Sequence, residues 1–237
     1  MQDNKEAELN LRDKSIDILK AEFRINEIFY SLQGEGTRTG LPCVFIRLQG
    51  CKLRCSWCDT KFAQKFDDKA DMMTGNQILE EVKKYECSFV ALTGGEPMDH
   101  DNVIPLLSLL CDNFETVELE TNGSVDLSEV DKRVVRIMDT KAPSSGMSKF
   151  NHYANFNLLT NRDEIKFVVA DSEDYTWAKD VIKRYQLQSG PAEIIFSPVF
   201  GSIEASELAG MILKDKLRAR MQLQLHKYIW DPDARSV

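Results

Sequence analysis

From about Ile25 onward, short β-rich runs alternate with longer stretches in which apolar residues recur at helical spacing. The runs at 43–48, 88–92, 116–120, 134–138, 164–169, 193–196 and 221–225 predict strands. Helices are predicted over 75–85, 101–113, 173–185 and 203–217. Ile78, Leu79 and Val82 share one helical face, as do Val103, Leu106, Leu107 and Leu110. Thr74 and Asp101 precede two of these helices and suit N-cap positions, where a side-chain oxygen accepts from a first-turn amide. Strand followed by helix, repeated, implies parallel strands joined by right-handed crossovers. The expected fold class is α/β, a partial (β/α) barrel on a parallel sheet. Residues 1–22 mix charges with few large side chains and read as an N-terminal polar arm, leaving 23–237 as a single domain.

Chemistry-bearing residues gather where the predicted strands end. Cys51 follows the first strand, Thr93-Gly94-Gly95-Glu96-Pro97 the second and Thr121-Asn122-Gly123 the third. Asp139-Thr140-Lys141 follows the fourth, Ser197-Pro198 the sixth, and His226 lies at the last. In a parallel barrel these ends share one face, where ligands bind. Any one of these segments reads equally well as an ordinary turn. Their joint occurrence points to a site.

The densest signal is Cys51-Lys52-Leu53-Arg54-Cys55-Ser56-Trp57-Cys58. Three thiols are one ligand short of a closed tetrahedral zinc site, and Cys43, Cys87 and Cys111 are scattered singly. Three thiolates can hold a 4Fe-4S cluster and leave one iron open to a small molecule. A zinc module completed by a histidine or aspartate is the alternative. Cys43 and Cys111 suit core positions.

At 237 residues and 43% hydrophobic, the chain can bury one sizeable core. A net charge of −8 argues against a broad nucleic-acid surface. No run approaches the apolar length of a membrane span, and a signal peptide's apolar core is missing from the first residues. A cytoplasmic protein with reduced thiols is expected.

The three-cysteine run and Gly94-Gly95-Glu96-Pro97 resemble the radical S-adenosylmethionine superfamily. A narrower resemblance, over about 25–230, is to the 7-carboxy-7-deazaguanine synthase family. Its carriers are the segments 28–36, 45–48, Cys58-Asp59-Thr60, Glu120-Thr121-Asn122-Gly123 and His226-Lys227-Tyr228. The resemblance implies contraction of 6-carboxy-5,6,7,8-tetrahydropterin to 7-carboxy-7-deazaguanine with loss of ammonia, toward queuosine-type nucleosides. It also implies a homodimer and an electron donor such as flavodoxin or ferredoxin. A glycyl-radical-activating enzyme, which shares the cysteine spacing, is the rival within the superfamily.

By the same resemblance Cys51, Cys55 and Cys58 hold the cluster, whose open iron takes S-adenosylmethionine. The cofactor would meet Trp57, Cys58, Asp59, Gly95, Glu96, Asn122, Asp139, Thr140, Lys141 and the run Phe196-Ser197-Pro198-Val199. Trp57 packs on adenine or shields the cluster, and Gly94 and Gly95 permit close backbone approach. Substrate would meet Leu32, Gln33, Gly34, Glu35, Arg47, Thr93 and His226, with Mg2+ at Thr60. Thr93 is equally an ordinary strand-end threonine. Arg47 is the odd member of an apolar strand; it meets either a substrate carboxylate or a structural salt-bridge partner. His100 and His152 read as surface residues. The tail beyond His226 departs from relatives that end shortly after this segment.

Overall fold

A computed structural model describes residues 18–67 and 70–237. Nine strands form one open sheet: β1 (Glu22–Leu32), β2 (Pro42–Leu48), β3 (Asp71–Thr74), β4 (Phe89–Gly94), β5 (Thr116–Thr121), β6 (Val135–Asp139), β7 (Glu164–Val169), β8 (Glu193–Pro198) and β9 (Arg220–Met221). Their order is β3-β1-β2-β4-β5-β6-β7-β8-β9. From β2 through β9 each neighbouring pair is parallel, whereas β1 runs antiparallel to both β2 and β3. The sheet is the expected partial barrel, extended at one edge by two strands that the hydrophobic pattern did not announce.

Helices α1 (Gly75–Lys83), α2 (Val103–Asn113), α3 (Ser172–Arg184) and α4 (Ala205–Asp215) match the four expected ones with trimmed ends; α5 (His226–Ile229) is a short addition. Thr74 caps α1 as expected, in a reciprocal capping box with Gln77. Asp101 does not cap α2: Asn102 occupies that position in a left-handed conformation and makes no side-chain cap bond. Asp171 caps α3, accepting from Glu173 N and Asp174 N. Apolar residues of α1 to α4 pack on one sheet face with Val44, Ile46, Leu48, Val90, Leu92, Val117, Leu119, Ile165 and Phe167. A smaller cluster of Phe29, Cys43, Phe45, Phe89 and Ala91 lies on the other face.

Most of the expected arm, residues 1–17, lies outside the described residues. Its last residues do not stand apart: Ile18 is buried in the core and β1 begins at Glu22. Within β1 the register shifts between Ile25 and Glu27. Phe23 and Ile25 join the helix-covered core, and after the shift Ile28 does so while Phe29 faces the smaller cluster. A bulge of this kind moves alternate side chains to the opposite face. It aims Glu27 into the barrel and hides the strand's period from a sequence reading.

The expected last strand, 221–225, survives only as Arg220–Met221. The chain then leaves the sheet to meet the β1–β2 loop, where Gly36 N donates to Gln222 Oε1 (2.7 Å) and Leu225 N to Gly34 O (3.0 Å). That loop thus bridges from one side of the open barrel to the other.

Candidate active site

The strand ends and their loops enclose a cavity of about 530 Å³. Cys51, Cys55 and Cys58 all line it, as do Gly94, Gly95, Asn122, Asp139 and Lys141. Among the described residues no three His, Cys, Asp or Glu side chains converge on a point able to hold a single metal ion. Three cysteine thiols bordering one cavity are the kind of donor set that can hold an iron–sulfur cluster and leave one iron to another ligand. Burial pushes the Cys51 thiol up to about 11 and raises that of Cys55 as well. A metal ion or cluster bound at these thiols would have to displace their protons.

The cysteine loop is braced from several sides. Arg54 Nη1 donates to the carbonyls of Cys51 and Leu53, and Ser56 N donates to Ser145 O at 3.1 Å. Trp57 Nε1 donates to Ser144 Oγ (2.9 Å), and Lys141 Nζ lies 5.3 Å from the Trp57 ring centre. A Cβ on Gly94 would collide with Leu48 O, and one on Gly95 with Gly50 O. These glycines let backbone meet backbone just before Cys51, which is the observed reason for their small size.

Ion pairs line the rest of the cavity. Glu35 pairs with Lys166 and accepts from Gln224 Nε2 at 2.7 Å. Burial opposes the Glu35 charge, but Lys166 outweighs it and holds the carboxyl below its ordinary value. Asp59 accepts from Gln224 Nε2 (3.0 Å) and Lys227 Nζ (3.4 Å). Asp139 accepts from Lys141 Nζ at 2.9 Å. Glu120 accepts from Thr93 Oγ1 (2.7 Å) and Gln33 Nε2 (3.2 Å). Arg47 Nε donates to Glu27 Oε1 at 2.7 Å.

The radical SAM superfamily profile matches residues 45–196. A 7-carboxy-7-deazaguanine synthase of Chlorobaculum tepidum is 47% identical over 92% of this chain and 99% of its own length. One from Koribacter versatilis is 38% identical over 90% and 100%. The crystal structure of QueE from Escherichia coli, at 24% identity, superposes over 90% of this chain and 98% of its own with a TM-score of 0.68, a likeness of fold.

The chain belongs to the 7-carboxy-7-deazaguanine synthase family.

Within this member of the family, the structure gathers most of the residues singled out from the sequence. Leu32, Gln33, Gly34, Glu35, Arg47, Trp57, Asp59, Thr60, Thr93, Gly95, Glu96, Asn122, Asp139, Lys141, Val199 and His226 border the cavity with the three cysteines. Thr140, Phe196, Ser197 and Pro198 do not line it. Phe196 faces the helix layer instead, stacked 5.5 Å from Phe167, so only Val199 of that run reaches the cavity. Thr140 is buried, and its amide donates to Lys166 O at 2.8 Å.

Two wall residues are turned to internal duties. Glu96 accepts from Met98 N (3.0 Å), Thr121 Oγ1 (2.7 Å) and Asn122 N (2.6 Å), and burial pushes it up to about 7. Gln33 spends its amide on Glu118, Glu120 and the Glu35 amide, so it orders the loop and Glu120. His226 packs on Gly34, where a Cβ would strike the imidazole, and burial lowers its pKa. His100 is half-buried beside Phe66, not on the surface, whereas His152 is exposed. Cys43 is a core residue as expected; Cys111 is half-buried at the core's edge.

Glu27, Glu120, Lys166, Gln224 and Lys227 also line the cavity and were not singled out. The signal available for Glu120 was its place in Glu120-Thr121-Asn122-Gly123; alternation along β7 put Lys166 on the face of Glu164. Glu27 carried none, because the bulge masks its phase.

Proposed function

We propose that this synthase binds a 4Fe-4S cluster through Cys51, Cys55 and Cys58, with S-adenosylmethionine beside it. Its reaction converts 6-carboxy-5,6,7,8-tetrahydropterin to 7-carboxy-7-deazaguanine with loss of ammonia, in queuosine-type biosynthesis. One observation carries the reading: the three thiols and an incompletely partnered Arg47 border one small-molecule-sized cavity. When bound, the cluster and its cofactor supply one-electron cleavage chemistry that starts the reaction.

The chain's own residues bind, orient and exclude water. Trp57, Asp59, Gly95, Asn122, Asp139, Lys141 and Val199 flank the cofactor's place, with Lys141 neutralised by Asp139. Leu32, Gly34 and His226 form one wall for the pterin, and Glu35 fixes it through Lys166 and Gln224. Thr93 and Glu120, hydrogen-bonded to each other, present a polar edge to its ring nitrogens. Arg47 offers its terminal nitrogens to the carboxylate. Thr60 gives Mg2+ one hydroxyl, so the ion takes its other oxygens from substrate and water.

A flavodoxin- or ferredoxin-type donor, a homodimer and a cytoplasmic setting complete the proposal; among the described residues no helix is long and apolar enough to cross a membrane. Iron and acid-labile sulfide, measured on protein purified without oxygen, test the cofactor assignment. Brown protein with both present is expected; colourless protein holding zinc would overturn it.

A further inference from the structure

Charged side chains along the cavity wall are matched one to one at three places: Glu35 with Lys166, Asp59 with Lys227, and Asp139 with Lys141. The corner beside β1 differs. There a single carboxylate, Glu27, serves two guanidinium groups: Oε1 accepts from Arg47 Nε at 2.7 Å, and Oε2 lies 3.8 Å from Arg235 Nη2. Glu27 Oε2 also accepts from Ser236 Oγ at 2.8 Å.

Segment 231–237 brings Arg235 back over the cavity, and Pro232, Ala234, Arg235, Ser236 and Val237 all line it. Arg235 Cζ sits 4.0 Å from the Phe62 ring centre, and Arg47 Cζ lies 5.8 Å from the same centre. A planar cation at that distance from a ring is held in place. Arg235 also gives Nη2 to Asn26 Oδ1 at 3.3 Å.

Most of the donors remain unmatched. Among the described residues neither terminal nitrogen of Arg47 has a protein acceptor, and neither has Nε or Nη1 of Arg235. An ordinary structural salt bridge would match its forks. Two guanidiniums, that of Arg235 half-exposed, share one half-buried carboxylate and leave an excess of positive charge, with open donors bordering the cavity.

We infer that Arg235 is a specificity-determining residue, which with Arg47 forms a two-guanidinium seat for an acidic group on the substrate. Glu27 is the counter-ion that holds both arginines in register, and Phe62 is the platform between them. The inference rests on the substrate assigned above and deepens it: discrimination for a carboxylated pterin would come from two elements far apart in sequence.

The test is equilibrium titration of the cluster-loaded protein, without reductant, against the carboxylated tetrahydropterin and against its neutral carboxamide. Wild type binds the acid more tightly than the amide. Arg235→Ala weakens the acid about tenfold and the amide little, as removal of one charge-assisted contact would. Arg235→Lys, which keeps charge without the planar stack, falls between them. Equal loss for acid and amide would make the tail a packing element and overturn the inference, as would an unchanged acid affinity or a Lys variant no better than Ala. Wild type that binds neither ligand would instead defeat the substrate assignment itself. Iron content equal to wild type guards against loss of fold.

Discussion

On its helix-covered face the sheet presents Val44, Ile46, Leu48, Val90, Leu92, Val117 and Leu119, each at 1% exposure or less. On the opposite face the same strands carry Arg47, Thr93, Glu118 and Glu120, and β7 adds Glu164 and Lys166. The first face is stabilised by burial alone and tolerates no polar atom. The second carries buried and half-buried charges, most of them held by partners on other elements, which costs stability and fixes geometry. Sites that bind charged ligands need such a face, and here the fold supplies it by alternation along each strand.

The contrast breaks most completely at the cysteine loop. Cys55→Ala should abolish iron uptake and turnover while circular dichroism stays as in wild type, because the loop lies outside the helix-covered core. Full activity in that variant would contradict its role as a ligand.

Next comes a pair of substitutions on one strand. Leu119→Ala should lower unfolding free energy by about 2–5 kcal/mol through cavity formation, read by urea denaturation. Glu120→Gln, one position on, should change it by less than about 1 kcal/mol yet cut turnover about tenfold or more. If both changes acted mainly on stability, the two faces would not differ in kind.

Arg47→Ala should weaken substrate binding about 10- to 100-fold, with iron content unchanged. A matching loss of iron would make Arg47 structural.

The smallest effect is a pH dependence. Burial pushes Glu118 up to about 8 from an ordinary 4.5; Gln33 and Arg38 oppose the shift, but Arg38 is partly exposed and its pull is screened. Between those values the folded chain binds more protons at this site than the unfolded chain. This contribution is therefore full below about pH 4.5 and is lost as pH rises through about 8. Glu118→Gln should gain in melting temperature relative to wild type between pH 5 and pH 8. A constant difference across that range would contradict the assignment.

Much of the outer face was legible in the sequence because its code is local. Ile78, Leu79 and Val82, or Val103, Leu106, Leu107 and Leu110, repeat within one helix, and six of the seven expected strands fell close to their observed places. The inner face was legible only in part. Thr116-Val117-Glu118-Leu119-Glu120 reads as a strand with one wet side, yet Glu118 is wholly buried.

Its partners lie far along the chain: Gln33 meets Glu120 across 87 positions, and Glu35 meets Gln224 across 189. Such pairing leaves no periodic trace. The bulge that turns Glu27 inward and the departure of 222–225 from the sheet are likewise set by tertiary contacts. The cysteine motif and the Gly-Gly turn were visible because their chemistry demands residues close in sequence. Even there the motif did not show that Gly94 and Gly95 also pack against the Leu48 and Gly50 backbone, or that Glu96 is a buried hydrogen-bond hub.

The most direct measurement is the mass of the product formed when oxygen-free, cluster-loaded protein meets the carboxylated tetrahydropterin with S-adenosylmethionine, magnesium and a low-potential reductant. The account predicts a species lighter than the substrate by one ammonia, with S-adenosylmethionine not consumed in proportion to it. Unchanged substrate, in protein whose iron and sulfide are complete, would contradict it.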